Sequence, residues 1–127
     1  MLLYVTIGSN DLYRAGHFYD AVLPALGYRR QHYSEEEIGY SADGDTRCRF
    51  WVVTPFNRRR ATAGNGAMVA LAAETRAAVD AFHAAAMAAG AVDEGKPGLR
   101  PYHAHFYAAY VRDLDGNKLS AVCESAE

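Results

Sequence analysis

Only two of the 127 residues are cysteine, Cys48 and Cys123, and they show no CxxC spacing. That excludes a disulfide-built scaffold and the paired-thiol zinc and redox motifs. Two buried, reduced thiols in strand-like stretches are expected instead. Charge of one sign is also lacking. Thirteen Lys and Arg against fifteen Asp and Glu leave a formal net charge of −2, so no basic field draws the chain to nucleic acid or to anionic lipid. The one basic run, Arg58-Arg59-Arg60, reads as a solvated loop. No apolar run approaches the roughly 20 residues that span a bilayer. The amino terminus passes straight into the alternating Leu3-Tyr4-Val5-Thr6-Ile7, so no secretory leader is expected. These absences predict a cytoplasmic protein without nucleic-acid or membrane partners. Phosphate cradles of the GxGxxG and Walker kinds are missing, as are a Gly-x-Ser-x-Gly elbow and an evident Ser/His/Asp set.

What is present is an ordinary globular composition, half hydrophobic and 22% charged, in a chain long enough to bury a core without staples. A strand is predicted over Leu3–Gly8, then a helix capped by Asn10 or Asp11, with apolar residues at Leu12, Ala15, Phe18, Tyr19, Val22 and Leu26 on one face. Pro24 should disrupt its last turn and Gly27 should stop it. Strands follow at Tyr28–Tyr33, Glu37–Ser41 and Arg47–Thr54, the last two joined by the turn Asp43-Gly44-Asp45. After a loop over 55–66 come a strand at Ala67–Ala72 and a helix capped by Thr75, with Val79, Phe82, Ala86 and Met87 facing the core. A short strand, Ala91–Glu94, should lead into a Pro/Gly loop, 95–101. The final strands are His105–Arg112 and Lys118–Cys123, joined by Asp113-Leu114-Asp115-Gly116-Asn117.

The order is βαβββ twice, and a shift of 64 residues lays Val5 on Val69, Ile7 on Leu71, Asp11 on Thr75 and Phe18 on Phe82. We therefore expect an α+β fold in which residues 1–127 form a single domain, with a first module over 1–55 and a second over 67–124. Two such units pair into a curved, partly closed mixed sheet around a cleft.

This order, with Val5-Thr6-Ile7-Gly8, His17-Phe18-Tyr19-Asp20-Ala21-Val22-Leu23, Ala78 to Ala86, Pro97-Gly98-Leu99-Arg100-Pro101 and Tyr107 to Asp113 running into Asp115-Gly116-Asn117, resembles the vicinal oxygen chelate superfamily. That superfamily is also called the glyoxalase/bleomycin resistance/dioxygenase family. The resemblance covers nearly the whole chain and implies the fold. It does not fix the function, because the family holds lyases, dioxygenases, epimerases and drug-binding proteins. Its metalloenzymes hold a divalent ion with His and Glu at four inward strand positions, where the ion stabilises an enolate or oxyanion. Carried onto this sequence, those positions fall at Tyr4, within the acid- and His-free stretch Phe50–Thr54, at Met68 and at Ser120. Such side chains are poor ligands for hard divalent ions, so neither a metal nor another cofactor is expected.

The resemblance places Tyr4, Trp51, Met68 and Ser120 along the cleft, where they either fill a core or line a small-molecule site. Trp51 offers a stacking face and Arg100 a fork for a carboxylate or phosphate. Tyr102, His103 and His105 share the Gly95–Phe106 loop, a candidate partial lid. His17 and His83 read as helix residues without a role, and His32 as an outer-strand residue without signal. The leading expectation is a metal-free family member that binds a small organic ligand and forms a homodimer. One alternative is a lyase or isomerase using Tyr and His proton carriers or non-standard metal ligands. The other is a non-catalytic dimeric scaffold.

Overall fold

The computed structural model describes all residues, 1–127. The first half runs β1 (Val5–Gly8), α1 (Leu12–Val22), a short 3₁₀ helix (Leu23–Leu26), β2 (Tyr28–Tyr33), β3 (Glu37–Ala42) and β4 (Phe50–Val53). The second runs β5 (Val69–Ala72), α2 (Arg76–Ala88), β6 (Val92–Leu99), β7 (Tyr107–Arg112) and β8 (Lys118–Cys123). Each half makes one four-stranded mixed sheet, ordered β1-β4-β3-β2 and β5-β8-β7-β6. In each, the first strand pairs in parallel with the last and the other pairings are antiparallel. The two sheets are not joined into one. β1 and β5 remain unpaired edges, and a crevice of ≈ 260 Å³ lies between Leu2–Val5 and Met68–Leu71.

Helix ends follow from local chemistry. The Asp11 carboxylate accepts the Arg14 N–H at 3.0 Å, and the Thr75 hydroxyl accepts that of Ala78 at 3.0 Å, so each satisfies an orphan donor of the first turn. Pro24 has no N–H to give, and α1 tightens into the 3₁₀ turn before Gly27 closes it at φ +81°. Both helices pack on one side of the sheets. Phe18, Tyr19, Val22, Val79, Phe82 and Ala86 meet Ile38, Tyr40, Phe50, Val52, Val111, Leu119 and Ala121 in a single buried cluster of 20 residues. No helix is long and apolar enough to cross a membrane.

Five boundaries differ from the sequence expectation by more than one residue. β1 begins at Val5, β4 at Phe50, β5 at Val69 and β7 at Tyr107, each two or three residues late. Arg47 stays outside β4 because its N–H is taken by the Asp45 carboxylate at 2.9 Å. The expected short sixth strand is the long β6, and the Pro/Gly loop shrinks to 100–106. β6 is an edge strand, where Pro97 can spare its N–H, and register shifts at Asp93/Gly95 and Gly95/Gly98 absorb the glycines. Met87 leaves the expected core face and is 39% exposed, because one step beyond Ala86 turns it toward solvent.

The β7–β8 turn holds the two halves together. Buried Asp113 accepts from the Tyr19 hydroxyl on α1, from the Asn117 side chain at 3.0 Å, and from the N–H groups of Asp115 and Asn117 at 2.9 and 2.8 Å. Asn117 also donates to the Gly8 carbonyl at 2.9 Å, and the Asn10 N–H donates to Asp115 at 3.0 Å.

Candidate functional site

Strand alternation sends Val5 and Ile7 of β1, Phe50 and Val52 of β4, and Ile38 and Tyr40 of β3 toward the helices. The opposite face of the first sheet is open. Cross-strand register there aligns Thr6, Trp51, Gly39 and His32 in one row over all four strands. Gly39 sets the relief of that row. A Cβ on it would stand 2.7 Å from the Trp51 ring and 2.7 Å from the Cys48 sulfur, so only hydrogen lets the indole lie across β3. The His32 ring sits 5.5 Å from the indole, tilted by 59°, and its Nε2 is 3.9 Å from the Glu37 carboxylate. With Tyr4, Gln31, Thr46 and Arg47 these side chains line a concavity of ≈ 750 Å³. Cys48 also lines it, but burial first and then the Asp45 charge push its thiol up, so it is no thiolate nucleophile at neutral pH.

A second concavity, ≈ 670 Å³, adjoins the first and shares Thr6 and Glu37 with it. Its other wall is the loop Pro55–Thr62. Arg58, in the left-handed region at φ 64°, pairs with Glu36. Arg60 lines the same hollow and makes no hydrogen bond or ion pair of its own.

The residues singled out from sequence fall into three places. Tyr4 and Trp51 meet in the first concavity. Tyr4 also reaches the crevice between β1 and β5, where it joins Met68. Ser120 lies on the second sheet, in a row with Ala70, Tyr110 and Gly95. It is fully buried and its hydroxyl has no hydrogen-bond partner. Arg100 packs 5.4 Å from the Tyr110 ring centre and donates to the carbonyls of Lys96 and Leu99 at 2.6 and 3.4 Å. Tyr102 and His103 stack edge-on against Phe106. His103 bonds Glu124 at 2.6 Å, and its Nδ1 accepts the His105 N–H at 3.2 Å. That loop joins β6 to β7 on the outer side of the second sheet, so the arrangement keeps Arg100, Tyr102, His103 and His105 on a different sheet from Trp51.

The donor set can be tested against a divalent ion. The four family positions carry a phenol, no donor, a thioether and a buried serine hydroxyl, and no group of three or more His, Cys, Asp or Glu side chains stands together anywhere in the chain. These residues do not fit the metal that the fold family implies.

His32, Glu37 and Gly39 escaped the sequence reading. A bulge between Arg30 and His32 sets His32, and not Gln31, opposite Gly39, and nothing local reports it. Gly39 and Glu37 share the parity of Trp51 only through the β3–β4 register, and the seven-residue connection between those strands does not dictate that register.

An eight-stranded, two-helix architecture of paired βαβββ halves with an open sheet face defines the glyoxalase-type class of protein. Comparison with solved structures makes the class specific. A glyoxalase/bleomycin resistance protein from Albidiferax ferrireducens T118 is 38% identical, covers 96% of this chain and 97% of its own, and superposes with a TM-score of 0.85. A glyoxalase/bleomycin resistance protein/dioxygenase family enzyme from Burkholderia phytofirmans PsJN (21% identity, 96% and 97% coverage, TM-score 0.73) shares the fold. So does the fosfomycin resistance protein FosX from Mesorhizobium loti (16%, 98% and 92%, 0.69). No family model and no curated protein matches the sequence. The chain belongs to the glyoxalase/bleomycin resistance/dioxygenase family, within the vicinal oxygen chelate superfamily.

Proposed function

We propose that this chain is a metal-independent binding protein of its family, taking a small planar organic molecule on the open face of the first sheet. The observation that carries the reading is Trp51. Its indole reaches over Gly39 and lines a ≈ 750 Å³ concavity together with Tyr4, His32 and Glu37. A large aromatic platform beside a few convergent polar groups is how small-molecule sites are built. Relatives named for bleomycin and fosfomycin resistance support a small organic ligand over a macromolecular one. The Tyr4, Met68 and Ser120 positions support binding without a metal. A homodimer is part of the proposal. Leu2, Leu3, Tyr4 and Met68 leave an exposed apolar strip along the unpaired edges of β1 and β5, and a second copy is the simplest cover for it.

Trp51 is the only tryptophan, so its emission reports directly on the platform. Planar aromatic compounds that raise the melting temperature should change that emission. Trp51→Ala should weaken their binding by about 0.5–1.5 kcal/mol beyond lost burial. Hits that bind Trp51→Ala unchanged would refute the platform. One equivalent of Zn, Ni, Mn or Fe retained through dialysis would refute metal independence.

A further inference from the structure

The two concavities of the first sheet share Thr6 and Glu37 as lining and so form one trough along β1 and β4. At one end lies Trp51. At the other the loop after β4 folds over with Arg58 and Arg60. From Trp51 to Pro55 the chain advances four residues, about 13 Å if extended. The trough is thus longer than a single ring and unlike at its two ends.

The charges along it are ordered. Arg58 is neutralised by Glu36. Arg60 at the loop end and Arg47 at the Trp51 end are cations without an ionic partner. Glu37, the one carboxylate common to both hollows, stands in the middle, with His32 at 3.9 Å. An anionic group is repelled by Glu37 and attracted by Arg60 or by Arg47, whereas a neutral aromatic ring gains most on the indole. Arg47 shares the hollow that the ring occupies, so Arg60 is the cation that an acid held at a distance from the ring reaches.

Building on the metal-independent binding reading, we propose that the ligand class is an aromatic carboxylic acid, bound lengthwise with its ring on Trp51 and its carboxylate on Arg60. The guanidinium fork matches a carboxylate in two parallel hydrogen bonds. A spacer of several atoms between ring and acid is what reaches Arg60, because a carboxylate attached directly to the ring stays in the hollow shared by Glu37 and Arg47.

Calorimetric titration with indole-3-acetate, indole-3-butyrate and the neutral indole-3-butyramide tests this. Butyrate should bind more tightly than acetate, and about five- to tenfold more tightly than the amide. Arg60→Gln should abolish the preference for acid over amide and leave amide binding as it was. Arg59→Gln, a neighbouring loss of the same charge, should leave the preference intact. An acid preference that survives Arg60→Gln, or one lost instead in Arg47→Gln or Arg100→Gln, overturns the proposal. If Trp51→Ala weakens all three probes while Arg60→Gln changes none, the acid end is wrong and the platform stands. If binding is indifferent to both substitutions, both readings fall. No binding of any probe at millimolar concentration overturns the aromatic acid class.

Discussion

At Gly39 the missing side chain seats the indole of Trp51, and the second sheet repeats the device. A Cβ on Gly95 would stand 2.8 Å from Cδ2 of Tyr110, and Arg100 in turn lies on the Tyr110 ring. In each sheet a glycine on one strand lets the aromatic of its neighbour lie down on the open face. Gly39→Ala should therefore lift the indole and crowd the buried Cys48, costing about 1–3 kcal/mol as overpacking does. Chemical denaturation would measure the loss, and a shifted emission maximum would report the displaced ring. Wild-type stability together with unchanged emission would mean that the indole does not rest on β3. From sequence, Trp51 was legible as a stacking residue because of its chemistry alone. Gly39 was not, because its role depends on which residue stands opposite it.

Among the elements, the β7–β8 turn does more than reverse the chain. The run Asp113-Leu114-Asp115-Gly116-Asn117 is recognisable as a turn from its residues, and Gly116 takes φ +87° there. That its first carboxylate receives the hydroxyl of Tyr19, 94 positions away, has no local signature. Asp113→Asn replaces a charged acceptor with a neutral one among four donors, which should lower stability by about 1–3 kcal/mol in a denaturant titration. The same contact sets the alkaline limit. Burial first, then the Asp113 charge, hold the Tyr19 hydroxyl well above its ordinary pKa, and burial with Asp20 does the same for Tyr40. The native state keeps these protons, while the unfolded chain releases its own near pH 10. Their stabilisation is complete below that pH and is lost as pH rises toward the raised native values. Melting temperature should fall from about pH 10 upward, and Tyr19→Phe should flatten that decline relative to wild type. Parallel alkaline profiles for the two proteins would show that Tyr19 does not carry it.

For the molecule as a whole, the helices bury one side of both sheets and leave the other side open, with apolar side chains along the edges of β1 and β5. If a second copy covers that strip, light scattering at high micromolar concentration should report twice the 13.9 kDa chain mass. Met68→Glu, a charge placed in the strip, should shift the population toward monomer because an unpaired charge is costly to bury. A monomer for the unsubstituted protein at that concentration would refute the homodimer.

Element types, their order and the internal repeat were set by local pattern. Helical spacing from Ala15 to Val22, the caps Asp11 and Thr75, the stop at Gly27 and the alternation in β1 and β8 act within a few residues, so the chain alone decides them. The family followed from that order, and so did the poor metal-ligand character of Tyr4, Met68 and Ser120. Tertiary structure decided everything that joins distant segments. It separated the two sheets, carried β6 through its glycines and proline as an edge strand, and placed the Arg100 loop on one sheet and Trp51 on the other. It also brought His32, Glu37 and the Arg58–Arg60 loop to the face that bears the indole. Those relations depend on strand register and on a bulge, which are chosen by packing over the whole core and leave no trace in the spacing of neighbouring residues.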